Sequence, residues 1–335
     1  MRRQGGPLVE LAVRQARDAL GHGGPVRCRR RDPRERLGHR RRAGDQGAGR
    51  AAECVTILPY GDAAGPSGTD PVAALEAALD QDTGTGPPAA ILLETVQGEG
   101  GLHTAPRPWL ARIRELADAT GTLVIVDDIQ AGCGRTGTFF SFEDTPELRP
   151  DLVCLSKSLS GMGLPMAALL IRPETDRWAP GEHNGTFRGH NLAFVAGSAA
   201  LDHWTDPHFT AHAAELATAI RISLASITDA LPAGVAEAVG KGAMSGLRFT
   251  DAATAAGVRQ ALFRAGVLAE TSGLGHVLKL LPPLTMSLTD WKEVADILGD
   301  TVLTTVLDVP ALAPRAPAAR YGCSPTPPPP TGPCA

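Results

Sequence analysis

Residues Leu123 to Gln130 read LVIVDDIQ, and Asp151 to Lys157 read DLVCLSK. In each, a short run of apolar and β-branched residues, with no polar alternation, ends abruptly in charge. Runs of that length and continuity suit strands buried on both faces. The pattern recurs in AAILLE at Ala89–Glu94, in MAALLI at Met166–Ile171 and in VTILPY at Val55–Tyr60, with helical patterns near Val72–Leu79 and Pro108–Ala119 between them. Strand and helix in alternation predict an α/β domain with a mostly parallel central sheet flanked by helices.

Beyond Phe194 the text turns helical, in AFVAGSAALDHW, in HAAELATAIRISLASITDAL and in a last helix near Leu288–Leu307. A mixed region around VLAETSG and VLKLLPPLTM lies between. A smaller C-terminal α+β domain is expected there. The expected division is a large domain over 51–205, a small one over 206–308, an N-terminal segment over 1–50 and a Pro-rich tail over 309–335. Within the N-terminal segment, LVELAVRQARDAL at Leu8–Leu20 has the spacing of an amphipathic helix, stopped by glycines at 21, 23 and 24.

The chain has 335 residues and a net charge of −4. Ten arginines against three acidic residues crowd into positions 27–50, so the remainder is strongly acidic. That Arg-rich run has no apolar periodicity, and no aromatic residue or recognition motif accompanies it, so a nucleic-acid partner is not expected. No stretch reaches the roughly 18 apolar residues of a membrane span, and no signal-peptide pattern opens the chain. Six cysteines without CxxC or His-containing metal spacing predict a reduced, cytoplasmic setting.

Only four of the 32 basic residues are lysines: Lys157, Lys241, Lys279 and Lys292. Ligands of open α/β sheets lie at the carboxyl ends of strands. There the sequence places Glu94, then Asp127 with Asp128 and Gln130, and Lys157. A lysine among apolar and small residues loses hydration, which favours its neutral, nucleophilic form, suited to a Schiff base with an aldehyde. An aspartate nearby is what a pyridinium nitrogen needs to stay protonated. The pair points to pyridoxal phosphate.

ETVQGEGG at Glu94–Gly101, VDDIQAGCGRTG at Val126–Gly137, PDLVCLSKSLSGMGLPM at Pro150–Met166 and GEHNGTFRGHN at Gly181–Asn191 resemble, in order and spacing, the class III aminotransferases. Within that class the resemblance is to the diaminobutyrate–2-oxoglutarate branch of ectoine synthesis, with DDIQ where most members have DE. It covers about Cys54 to Leu307. It implies a fold type I transferase with a seven-stranded large domain and a smaller C-terminal domain, active as a homodimer or higher homo-oligomer. It also implies pyridoxal 5′-phosphate as cofactor, and glutamate, 2-oxoglutarate and aspartate 4-semialdehyde as substrates. The ornithine, acetylornithine and 4-aminobutyrate relatives, and a non-catalytic remnant, stay open beside that reading.

Carried over by residue, the resemblance makes Lys157 the Schiff-base lysine and proton shuttle, and Asp127 the partner of the pyridine nitrogen. Gln130 would bond the phenolic oxygen, Ile129 would pack on the ring, and Thr186 would reach the phosphate of the neighbouring subunit. Glu94 and Glu99 match acidic positions of the substrate pocket. Lys279 stands where many members carry an arginine that pairs with the Glu99 position and binds the substrate α-carboxylate, a grip a lysine cannot make bidentate. Lys241 and Lys292 are expected to face solvent.

Other features read more plainly. Gly132-x-Gly134 lacks the third glycine of a dinucleotide fingerprint and suits a tight turn. His183 and His190 suit hydrogen bonding rather than metal ligation, and Cys133 and Cys154 suit the core. PSGTDPVAALEAAL at Pro66–Leu79 imitates the family's phosphate-binding turn at the wrong distance from Glu94. The family's turn before LVELAVRQARDAL, and the aromatic segment after it, have no counterpart. The expectation is a truncated N-terminus in which residues near 26–50 are read in a shifted frame.

Overall fold

A computed structural model describes residues 8–9, 56–61, 70–80, 87–161, 163–180 and 188–307. Thr186, His183, the Arg-rich run and the Pro-rich tail lie outside the described residues. So does most of the helix expected over 8–20, and its first two residues are a correction. Strand β1 (Leu8–Val9) pairs antiparallel with β2 (Leu58–Pro59). Pairing supplies those backbone groups with partners that a helix start leaves open.

The larger sheet has the order β3-β4-β5-β6, with β3 spanning Ala90–Leu93, β4 Leu123–Asp127, β5 Leu152–Leu155 and β6 Ala168–Ile171. The first three are parallel, and β6 runs antiparallel to β5. This agrees with a mostly parallel sheet, and it shows four of the seven strands expected, among the described residues. On one face pack α1 (Pro71–Leu79) and α2 (Arg107–Thr120). Asp70 caps α1 through Val72 and Ala73 amides, and Pro71 takes the first helical position, where its missing N–H costs nothing. Leu75, Leu79, Trp109, Ile113 and Ala117 from these helices meet Ile91, Leu93, Val124 and Val126 of the sheet. Val153 and Leu155 face the other way, against Cys133, Leu159 and Phe139. Both faces are therefore covered, which is why the strands lack polar alternation.

Helix α3 (Asn191–Asp202) leads to α4 (Pro207–Asp229) and then to a second sheet, β7 (Ala236–Lys241), β8 (Met244–Phe249), β9 (Glu270–Ser272) and β10 (Val277–Leu280). This sheet is antiparallel, in the order β7-β8-β10-β9. Its core side packs on α4, α5 (Ala252–Arg264) and α6 (Leu288–Leu307) through Leu216, Ile220, Leu247, Leu262, Leu278 and Leu298. A third cluster, Val96, Leu102, Ala131, Met244 and Val277, joins loops of the first sheet to strands of the second. That junction brings β10 against the residues that follow β3. Of the other lysines, Lys292 is exposed, whereas Lys241 is half-buried and pairs with Asp144 at 2.6 Å, a correction to its expected solvent-facing position.

Candidate active site

Strand register sets the site. Leu93 pairs with Val126, and Asp127 pairs with Cys154. The carboxyl ends of β3, β4 and β5 therefore stop side by side, and Glu94, Asp127 and Lys157 emerge along one edge. Tyr60 fixes the first of these ends: its Oη lies 2.8 Å from the Glu94 carbonyl and 2.9 Å from that of Thr95.

Asp127 is buried, and the Ile129 amide donates to its Oδ1 at 3.1 Å. Burial raises its carboxyl above the ordinary range, opposed by the Ile129 amide and by the Lys157 charge. Glu94 accepts from the Gly98 amide at 2.9 Å. Burial pushes it up to about 7, against the pull of that amide; the Asp127 charge adds to the rise and the Lys157 charge opposes it. Asp128, next in sequence, points the opposite way, as alternation along a strand requires. It is fully buried, accepts from the Ser141 amide at 3.2 Å, and is pushed up by burial to about 6. The first aspartate of the pair belongs to the site and the second to the interior.

Lys157 opens a 3₁₀ turn, Lys157–Ser160, just past β5. Its φ is 48°, in the left-handed region that costs a non-glycine residue about 1–2 kcal/mol. The Ser156 hydroxyl anchors the approach by donating to the Met166 carbonyl at 2.6 Å. Strain of this kind gathers where a side chain must be aimed. The desolvation expected for Lys157 is corrected: the turn carries it beyond the sheet, and it is exposed among the described residues. Its electrostatic reach nevertheless covers Asp127, Glu94 and Glu99.

Gln130 is half-buried; its Nε2 donates to Glu99 Oε1 at 3.4 Å, and its Oε1 is buried without a partner among the described residues. The amide lies so close over Gly98 that a Cβ there would collide with it. Glu99 in turn accepts from Lys279 Nζ at 2.7 Å. That bond, ahead of burial, holds the Glu99 carboxyl below its ordinary range. Lys279 is wholly buried on β10, and its ammonium also lies 3.2 Å from Glu270 Oε2. The structure thus brings Glu94, Glu99, Asp127, Ile129, Gln130, Lys157 and Lys279 into one region.

Two residues lie at the site that their sequence context does not single out. Tyr60 could have been suspected as the one phenol closing an otherwise apolar run. Glu270 carries no local signal, because its relation to Lys279 comes from strand register, Lys279 facing Glu270 across β10 and β9. His190, by contrast, caps α3 by accepting from the Ala193 amide at 3.1 Å.

Comparison with known proteins decides the family. The family described as aminotransferase class III matches residues 45–302, well over half of the chain. The chain belongs to the class III aminotransferases. It is 47% identical over 232 residues to a diaminobutyrate–2-oxoglutarate transaminase of Virgibacillus pantothenticus, a match covering 68% of this chain and 56% of that protein. It is 44% identical over 265 residues to a Vibrio cholerae protein of the same name, covering 78% and 62%. This class III aminotransferase therefore spans somewhat more than half the length of those relatives. Among solved structures, the ornithine aminotransferase of Toxoplasma gondii, whose active site holds pyridoxal phosphate at partial occupancy, matches with a TM-score of 0.64 and 29% identity, covering 71% of this chain and 55% of that one.

Class III aminotransferases depend on pyridoxal phosphate, and the donor set suits its ring. Asp127 offers a held carboxylate for a pyridinium N–H, and the unpartnered Gln130 oxygen offers an amide with hydrogen-bonding capacity left for a ligand. Within the described residues, no cluster of His, Cys, Asp and Glu has the makings of a metal site, and no helix is long and apolar enough to cross a membrane.

Proposed function

We propose that this chain moves the amino group of L-glutamate to L-aspartate 4-semialdehyde, giving L-2,4-diaminobutyrate and 2-oxoglutarate. Transamination is carried by one observation, the strained Lys157 at a strand end within electrostatic reach of Asp127 and Glu94. The substrate pair is supported by the likeness to the two diaminobutyrate–2-oxoglutarate transaminases.

Asp127 would hold the cofactor by its ring nitrogen, Gln130 by its phenolic oxygen, Ile129 by its ring face and Lys157 by its aldehyde carbon. When bound, pyridoxal phosphate supplies that aldehyde carbon and a ring that withdraws electrons from the substrate carbon bearing nitrogen. Lys157 Nζ, as a free amine, takes a proton from that carbon and, as the resulting ammonium, returns one. Glu94, pushed up to about 7, populates both protonation states near neutrality, and the Lys157 charge acts on which of them it holds. Lys279, paired with Glu99, binds the substrate α-carboxylate.

The reading extends to a homodimer or larger homo-oligomer, with Thr186 at the neighbouring subunit's phosphate; the exposed Leu192, Phe194 and Val195 of α3 are in keeping with a covered face. It extends also to ectoine synthesis, and to a cytoplasmic setting, with which the free, buried thiols of Cys133 and Cys154 agree.

Purified full chain supplied with pyridoxal phosphate should absorb near ~420 nm, as cofactor Schiff bases do, and Lys157→Ala should abolish the band. It should form glutamate from L-2,4-diaminobutyrate and 2-oxoglutarate. Glutamate formed from ornithine, acetylornithine or 4-aminobutyrate but not from diaminobutyrate would move the substrate assignment to those relatives. A chain that stays colourless would mark a non-catalytic remnant.

A further inference from the structure

A single buried ammonium faces two carboxylates. Lys279 Nζ lies 2.7 Å from Glu99 Oε1 and 3.2 Å from Glu270 Oε2, and the lysine side chain is inaccessible while both glutamates are largely exposed, 76% and 68%. The arrangement is built by backbone. Glu270 is the register partner of Lys279. The Gly273 amide, three residues on, donates to the Glu99 carbonyl at 3.0 Å, and Gly101 and Gly273 approach so closely that a Cβ on either would press on the other's Cα. The loop bearing Glu99 and the strand bearing Glu270 are thus locked together, and both carboxylates converge on one cation.

This cluster has one positive and two negative charges. A ligand end consisting of a bare carboxylate would put three carboxylates around one ammonium, so one glutamate must leave. A ligand end carrying an ammonium beside its carboxylate brings its own cation, and the charges then match in alternation. Glu99 is already engaged twice, by Lys279 and by Gln130 at 3.4 Å. Glu270 is held only by the longer pair among the described residues, which leaves its carboxylate free to accept again.

We propose that Glu270 and Lys279 together read a zwitterionic α-amino-acid head group, Lys279 taking the carboxylate in exchange for the exposed Glu99 and Glu270 the α-ammonium. Glu270 thereby becomes a specificity-determining residue, separating substrates with a free α-amino group from those with a carboxylate alone. The inference rests on the transaminase reading above, and deepens it by naming which end of which substrate meets which strand.

The test compares L-2,4-diaminobutyrate with 4-aminobutyrate, which differ only in the α-amino group. Calorimetric titration of the full chain without pyridoxal phosphate, where the ligand's amino group has no aldehyde to react with, gives both dissociation constants independently of turnover. One charge-assisted hydrogen bond predicts an affinity ratio of about 10 in favour of diaminobutyrate for the unaltered chain. Glu270→Gln should collapse that ratio to about 1, and Glu270→Asp, which keeps the charge on a shorter arm, should restore part of it. A ratio that survives Glu270→Gln, or losses equal for both ligands, overturns the inference and leaves the transaminase reading standing. Failure of the unaltered chain to bind either ligand overturns both. Glu270 is exposed on a short strand, so thermal melts of the two variants should match the unaltered chain.

Discussion

Lys279 Nζ donates to Glu99 Oε1 at 2.7 Å across 180 positions of sequence, tying the antiparallel sheet to the loop after β3. The ammonium is buried and its partner is exposed, so an incoming carboxylate can exchange with Glu99 without stranding a buried charge. Lys279→Met should raise KM for 2-oxoglutarate about 10- to 100-fold, the worth of one charge-assisted hydrogen bond, and change kcat much less. Lys279→Arg keeps the charge and should stay nearer the unaltered value. Initial-rate kinetics decide, and an unchanged KM in Lys279→Met would remove Lys279 from substrate binding.

Glu94 ties stability to pH. Its carboxyl titrates at about 7 in the folded chain against 4.5 when free. Between those values the unfolded chain has lost the proton that the folded chain keeps, so stability is fully present below pH 4.5 and falls as pH rises to about 7. Asp128, raised to about 6, acts with the same sign. Glu94→Gln removes the larger contribution while its amide oxygen can still accept from Gly98. The variant should gain on the order of 2 kcal/mol over the unaltered chain at pH 8 and little at pH 4.5. Urea unfolding at the two pH values measures the difference; a gain equal at both would dismiss the carboxyl as its cause.

The parts of this site that were legible in sequence are those whose environment leaves a one-dimensional trace. Strands β3, β4 and β5 are covered on both faces, so their residues are apolar without interruption and the charge that ends each run stands out. The antiparallel sense of β6 leaves no such trace, since strand direction does not alter composition. The β7–β8 hairpin escaped for another reason: Gly240, Gly242 and Gly246 dilute its β-forming residues, and its two-residue turn, Gly242–Ala243, lacks the usual Asn-Gly or Asp-Gly signal. Glu270 is a matter of register alone, and Lys157's exposure depends on a turn whose φ no propensity announces.

The left-handed Lys157 sets function against stability. Glycine adopts that backbone without the Cβ penalty. Lys157→Gly should therefore stabilise the chain by about 1 kcal/mol while abolishing transamination. Thermal unfolding of Lys157→Gly beside Lys157→Ala isolates the backbone term, because both lack the ammonium. Equal stability in the pair would show that the turn is not strained.

Gly98 keeps the Gln130 amide in place by having no side chain. A Cβ there meets the far end of a flexible glutamine rather than backbone, so the fold can yield by turning that amide away. Gly98→Ala should lower pyridoxal phosphate affinity by about 10-fold, the worth of one hydrogen bond, with little change in melting temperature. Titration of the cofactor, followed by absorbance, gives the constant. Full affinity in the variant would exclude Gln130 from cofactor binding.

The sheet that positions these groups depends on a charge pair at its opposite end. Arg114 of α2 donates to Asp151 Oδ2 at 2.8 Å, and the same oxygen accepts the Val124 amide at 2.8 Å, so one carboxylate pins the helix to the starts of β4 and β5. Both side chains are nearly inaccessible. Arg172 approaches the other oxygen at 3.3 Å, leaving Asp151 with a second, more exposed cation. Arg114 likewise keeps a second carboxylate, Asp118 at 2.7 Å, so what distinguishes the two halves is the Val124 amide, which Asp151 alone serves. Asp151→Ala leaves the Val124 amide buried without this acceptor and Arg114 held by Asp118 at 2.7 Å, and should cost about 3 kcal/mol. Arg114→Met substitutes a side chain of similar length while Arg172 continues to compensate Asp151, and should cost less, about 1–3 kcal/mol. Chemical denaturation of the two variants tests the order, and a larger loss in Arg114→Met would show that the helix, not the strand amide, is what Asp151 chiefly holds.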